Sequence, residues 1–241
     1  INDADREMDA KIVPPKPLQL IVKRWRAADA NWFFDFRASA RKTLEFLESS
    51  KKYSADGIKF DGAIGLSANA LSDILGLTGP VELAQSKITL DRDNFLTEIQ
   101  KQVQEGLAAR LAEASGVARE GSDYPKEVLR ELAPVLVERL QKLDSESQNQ
   151  LTGLLLGWVR NRNLRVYMQD ATLQKFVERY GLAGQVSDLP SALSGDYLAV
   201  TDANVGGGKT DLYMKEKILL QSSLDLDGKL NNHLVISREH K

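Results

Sequence analysis

The sequence predicts an α/β domain: a mixed sheet with flanking helices, a helical block over about 91–163 and a C-terminal β-hairpin. Three observations predict it. Short apolar runs alternate with segments of helical period over 35–90, a pattern of α/β packing. From Asp91 to about Asn163 the character becomes helical almost throughout. After the glycines at 206–208, two β-like runs flank Asp227-Gly228, a favoured hairpin dipeptide. The whole, 1–241, reads as a single domain, with 91–163 an insertion or subdomain and 212–241 the hairpin region.

In chain order, Pro14, Pro15 and Pro17 favour an extended connector, and 18–29 (LQLIVKRWRAAD) predicts a short helix. Asp35 is an N-cap for a helix whose apolar residues Phe36, Ala40, Leu44 and Leu47 recur every three or four positions, with Phe46 flanking. FDGAIGLS (60–67) is a short strand, and Ser67 opens a small helix. TGPVEL is a turn and strand, and KITL (87–90) a further strand. Within the helical block, Pro134 is expected to kink or split its helix. Ser145 and Gln148 fit a capping box before LTGLLLGWVRNRN. LRVYMQD (164–170) reads as a buried strand, Asp170 as the cap of the next helix and Gly181 as its stop. VSDLPSALSG is a loop, and DYLAVTDAN (196–204) a strand.

Composition bounds the chemistry. The 241 residues carry 32 basic and 34 acidic side chains, a net charge of -2, so no global field holds nucleic acid or an anionic membrane, although local patches are compatible with it. With no cysteine, disulfides, zinc–thiolate sites, iron–sulfur clusters and cysteine nucleophiles are excluded. The two histidines, His233 and His240, both lie near the C-terminus, which leaves little for a catalytic triad or a poly-histidine metal site. No apolar run approaches the ~20 residues that span a bilayer. The opening INDADREMDA reads as the middle of a protein, so the chain is expected to be a fragment.

Ala203 to Thr210 (ANVGGGKT) nearly spells a phosphate-binding loop and follows a predicted strand. Such a loop must open a helix, whose N-terminal amides hold the anion. Here the following residues lead towards a hairpin, and no later strand is left to supply a metal-holding aspartate. A glycine-rich connection accounts for the stretch. Its consecutive amides leave an anion-binding nest with Lys209 as charge partner as the alternative.

Four patches then occur in order: AADANWFFDFRASARKTLEFLE, FDGAIGLSANALSDILGLTGPVEL, LRVYMQDATLQKFVERYGLAGQV and GDYLAVTDANVGGGKTDLYMKEKILLQSSLDLDGKL. Together they resemble the bacterial domain-of-unknown-function family four thousand and twelve, over about residues 10–241, with 92–150 the loosest part. The resemblance implies a bacterial envelope protein, outside the cytoplasm and anchored in the membrane by an upstream segment, with no activity attached to the family as a whole. A glycine-rich, arginine-bearing family motif that normally precedes this part is not in the chain, nor is the region that usually follows the hairpin. Residues Asn31 to Leu83 are also similar, with low specificity, to the LytR–CpsA–Psr family, which transfers glycopolymers from lipid pyrophosphate carriers to the cell wall. None of that family's arginines or aspartates has a clear counterpart here.

Three clusters are candidate ligand sites, each with a plainer explanation. Arg24, Arg26, Asp29, Asn31, Asp35, Arg37 and Arg41 converge near a helix start, where arginines can hold phosphate or carboxylate bidentately. The simpler account is a helix capped by Asp35, with Trp32, Phe33, Phe34 and Phe36 buried and the arginines solvated. Arg160, Arg162 and Arg165 suit an anionic polymer or lipid headgroup, and also suit a helix C-terminus. Asp202, Asn204, Lys209 and Asp211 surround the glycine turn, where carboxylate–lysine pairing is the simpler account than a cation site. The residues carried forward for anion or ligand binding are Asn31, Asp35, Arg37, Arg41, Asn204, Lys209 and Asp211. No cofactor and no metal site is predicted. The expected role is binding or assembly at the cell surface. The partners would be a cell-wall glycopolymer or other envelope proteins, not nucleic acid, and the membrane only through a segment outside this chain. The alternatives are a glycopolymer phosphotransferase of LytR–CpsA–Psr type and a filament or surface-layer component.

Overall fold

The computed structural model describes residues 12–102, 104, 124–186, 197–202 and 213–240. The chain divides into two compact units, 1–205 and 206–241. In the first, two 3-10 turns, Lys16–Leu20 and Ala27–Asp29, precede helices α1 (Phe36–Ser49) and α2 (Lys51–Ser54). Strand β1 (Gly62–Leu66), helix α3 (Ala68–Thr78) and strands β2 (Val81–Leu83) and β3 (Ile88–Leu90) follow. Helix α4 covers 95–102, then come α5 (Tyr124–Gln141), α6 (Ser145–Arg160), β4 (Leu164–Met168) and α7 (Ala171–Arg179). The second unit is the hairpin β5 (Met214–Leu224) and β6 (Leu230–His240).

The structure is α/β, with flanking helices, a helical block and the expected hairpin. The described strands pair only antiparallel, in three two-stranded ribbons β1–β4, β2–β3 and β5–β6, where the sequence suggested one mixed sheet. In the first ribbon Gly62 faces Met168 and Leu66 faces Leu164, so everything from α3 to α6 is an excursion between two paired strands.

The helix starts are local chemistry. Asp35 accepts from the Ala38 N–H, Ser67 from Ala70, and Asp170 from both Thr172 and Leu173, each satisfying an orphan first-turn donor. At α6 the cap is Asp144, accepting from Ser147 N–H, and not Ser145: the carboxylate one residue earlier takes the capping position, and Gln148 donates its side-chain amide to the Leu143 carbonyl. Helix α5 runs unbroken through Pro134, which withholds one N–H from the Arg130 carbonyl without splitting the helix. Gly181, at φ 71°, stops α7 as predicted, with Leu182 N–H returning to Val177.

Among the described residues, three cores hold the first unit. The largest joins α3, β2, β3, α4, α5 and α6, with Leu75, Val81, Leu83, Leu90, Phe95 and Leu132 almost wholly enclosed. Asp73 knits it at the rim, accepting from the Trp158 indole N–H at 2.9 Å and pairing with Arg92. Arg139 on α5 donates through Nη1 to the carbonyls of Thr78, Gly79 and Pro80, closing the C-terminus of α3. A second core packs Leu18, Trp25 and Ala30 on Phe46, and a third packs Ala40 and Leu44 on Tyr167. Helix α1 thus has two buried faces, and Phe46, expected only to flank its apolar stripe, is fully enclosed, whereas Phe33 and Phe34, expected to be buried, are 41% and 47% exposed.

The short helix expected over 18–29 is not formed. The Trp25 N–H pairs with the Ile12 carbonyl at 2.7 Å, which closes 12–25 into a loop and spends that donor outside any helix. Only Tyr167 of β4 is buried, packed on Ala40 and Leu44 of α1, while the other residues of the strand are half-buried or exposed. Residues 197–202, expected as part of a strand, are not paired with any described strand. The loop expected at 186–195 and the residues Asn204, Lys209 and Asp211 fall almost wholly outside the described residues; of them only Val186 is described. From Met214 onward the backbone is extended and paired. Its turn is longer than a two-residue Asp227-Gly228 connection: Asp225 N–H donates to the Lys229 carbonyl, and the Asp225 carboxylate accepts from the N–H groups of Asp227 and Lys229. Gly228, at φ 78°, takes the left-handed position of that turn.

Candidate functional site

Helix α1 positions the site. Its cap fixes the first turn, and its two apolar faces clamp it between Trp25 and the β1–β4 ribbon. A third face, carrying Ala38, Arg41, Glu45 and Glu48 at helical spacing, stays open. Together with Phe33, Lys42, Ser49, Lys59, Tyr167 and Gln169 it lines an open groove of about 540 Å³.

The charges in the groove are organised. Lys42 Nζ pairs with Glu45 at 2.6 Å and lies 5.6 Å from the Trp25 ring and 5.5 Å from the Phe46 ring, within cation–π range. Lys59 Nζ pairs with Glu48 at 2.8 Å. Glu48 also accepts from the Phe60 N–H and the Gln169 amide, which in turn donates to the Phe60 carbonyl at 2.6 Å. The Lys59 ammonium hydrogen bond, with support from the Phe60 N–H and Gln169, holds the Glu48 carboxyl below its ordinary value, against an opposing effect of burial. Arg41 is exposed and makes no hydrogen bond or ion pair with the described residues. The two lysines being matched by two glutamates, Arg41 is the groove cation left over among the described residues.

Of the cluster predicted around the helix start, only Arg41 lines this groove. Asp35 is a structural staple: one carboxylate oxygen caps α1 and the other accepts from the Val186 N–H at 2.9 Å. Arg37 pairs with Glu178 of α7 at 3.3 Å. Asn31 is exposed in the turn before α1, and Arg24 and Arg26 line a separate depression with Ile21, Val22 and Lys23. Arg160, Arg162 and Arg165 are all exposed. Arg162 is in the left-handed conformation that ends α6, and the Arg165 stem lies against Gly184. Asp202 is exposed, and its partners around the glycine turn lie outside the described residues. Among the described residues no group of three or more His, Cys, Asp or Glu is placed to hold a metal ion, and no helix is long and apolar enough to cross a membrane.

Lys42, Glu45, Glu48, Lys59, Tyr167 and Gln169 carried no signal strong enough to single them out. The Lys42–Glu45 spacing marks an ordinary helix-surface pair. Gln169 and Tyr167 reach the groove only through the pairing of β1 with β4, about a hundred residues apart in the chain.

Residues 8–103 match the sequence profile of the family described as Protein of unknown function (DUF4012). The match covers under half of the chain. Within it fall α1, Lys59 and β1, hence most of the groove, whereas Tyr167 and Gln169 lie outside the DUF4012 region. No curated protein and no solved structure matches the chain.

Proposed function

We propose that the chain is a binding domain of the bacterial cell envelope, and that its α1 groove takes a hydroxyl-rich polymer segment bearing acid groups, of the cell-wall glycopolymer kind. The observation that carries this reading is Arg41, a guanidinium lining an open groove and unpaired among the described residues, where the groove's other charges are matched in pairs. A guanidinium presents a planar fork of donors suited to carboxylate or phosphate. Sugar hydroxyls both donate and accept. Glu45, Glu48, Gln169, Ser49 and the two lysines offer both halves of that exchange, and the half-exposed Phe33 ring offers an apolar face.

The test is affinity of the purified chain for an acidic wall polysaccharide against a neutral glucan, with Arg41→Ala as the variant. The reading expects preference for the acidic polymer and a loss of roughly tenfold or more in Arg41→Ala, as for a charged hydrogen bond. Equal binding by the variant contradicts it. Magnesium-dependent cleavage of a polyprenyl-pyrophosphate-linked sugar would replace it with the phosphotransferase reading. Fractionation of cells, with protease accessibility in spheroplasts, tests the envelope location separately.

A further inference from the structure

The loop before α1 carries two features that pull in one direction. Residues 12–28 contain no Asp or Glu and four cations, Lys16, Lys23, Arg24 and Arg26, all exposed. None of the four makes an ion pair or side-chain hydrogen bond with the described residues. Between them the chain turns outward, with Leu20 87% and Ile21 53% exposed. Both are large aliphatic side chains of the kind that folding ordinarily hides.

The loop is held in shape, so this exposure belongs to the fold. Trp25 N–H ties the loop's far end to the Ile12 carbonyl at 2.7 Å, and the Gln19 amide donates to Pro14 at 2.8 Å. Leu18 and Trp25 turn inward, Trp25 meeting Phe46 edge-on at 5.3 Å. With Leu18 anchored inside, the 3-10 turn presents Leu20 and Ile21 at its crest. A depression of about 600 Å³ lined by Ile21, Val22, Lys23, Arg24 and Arg26 joins the apolar crest to the cations.

We propose that this loop docks on the surface of an anionic phospholipid bilayer, with Leu20 and Ile21 entering the headgroup–acyl boundary and the four cations resting on the phosphate layer. Charge complementarity selects an anionic partner, because over residues 12–29 four cations stand against one acid, Asp29. The aliphatic crest selects a bilayer among anionic partners: a phosphodiester backbone or a soluble phosphate leaves Leu20 and Ile21 in water, whereas a membrane interface buries them. The contact involves residues of this chain itself, in addition to any upstream anchor. It uses none of the groove residues, so it stands or falls apart from the polymer reading.

The test uses the full chain with vesicles of phosphatidylcholine alone and of an equimolar phosphatidylcholine–phosphatidylglycerol mixture, read by co-sedimentation at low and high salt. Binding is expected to the anionic vesicles only and to weaken with salt. Arg24→Gln with Arg26→Gln is expected to lower partitioning by roughly 30-fold, about fivefold per cation. Leu20→Gln is expected to lower it by about tenfold. All three positions are exposed, and unchanged urea midpoints verify that the variants fold. Because the chain has no cysteine, Leu20→Cys accepts a single environment-sensitive fluorophore, whose emission should shift to the blue on anionic vesicles. Equal binding to neutral vesicles, no binding to either, or no blue shift overturns the proposal. So does binding of a DNA duplex with the same cation dependence and none on Leu20, in the absence of vesicle binding.

Discussion

Replacing Asp35 with alanine should destabilise the first unit by about 2–4 kcal/mol. One carboxylate oxygen caps α1 through the Ala38 N–H at 2.9 Å, and loss of such a cap costs typically ~1 kcal/mol. The other oxygen accepts from the Val186 N–H at 2.9 Å, across 151 residues of chain, and a hydrogen bond to a charged group contributes ~1.5–3 kcal/mol. Asp35 is only half-buried, which favours the lower part of the range. Asp35→Asn keeps one acceptor oxygen but turns an NH₂ group towards the other donor, so it should lose about half as much. Urea unfolding followed by circular dichroism reads both. With a slope of about 2 kcal/mol per molar, Asp35→Ala should move the midpoint down by roughly 1–2 M. Hydrogen exchange at the Val186 amide should accelerate in both variants. An Asp35→Ala midpoint within about 0.25 M of the parent would refute the reasoning. If that variant also lost polymer binding, Asp35 would return as a ligand-contacting residue.

Other outcomes follow from single contacts. A Cβ at Gly62 would stand 2.2 Å from the Tyr167 backbone oxygen, so Gly62→Ala should cost about 2 kcal/mol or more in urea unfolding, by forcing β1 from β4. Arg162 ends α6 at φ 56° with a Cβ that this conformation disfavours, and Arg162→Gly should raise the midpoint by the equivalent of ~1 kcal/mol. Glu48 has a folded-state carboxyl pKa below its ordinary 4.5, so its contribution is fully present above that value and is lost as pH falls through the lowered one. Urea midpoints measured from neutral pH down to about 3 should therefore fall less steeply in Glu48→Gln than in the parent.

What could be read from the sequence was what is decided locally. Asp35, Ser67, Asp170 and Gly181 act within one turn of their own helix, and the structure places each where its side chain or backbone freedom is needed. At α6 two adjacent residues compete for one cap, and the carboxylate of Asp144 took it from Ser145. The loop at 12–25 escaped because its closure depends on Phe46, twenty-one residues beyond Trp25, which offers a pocket for Leu18 and Trp25 while leaving Leu20 and Ile21 outside. The site divides along the same line. Arg41 was legible as an arginine on a polar helix face. The groove around it was not, since Gln169 and Tyr167 arrive by strand pairing from the far side of the helical block. The partners of Asp35 and Arg37, Val186 and Glu178, are equally remote in the chain and were not legible either.

The α1 groove is tested most directly by nuclear magnetic resonance of the isotope-labelled chain titrated with an acidic wall oligosaccharide. Saturable shifts should concentrate at the Arg41 guanidinium, the Gln169 side-chain amide and the backbone of 41–49, and should vanish in Arg41→Ala. Shifts that bypass these groups, or that persist unchanged in the variant, would contradict the assignment of the groove as the polymer site.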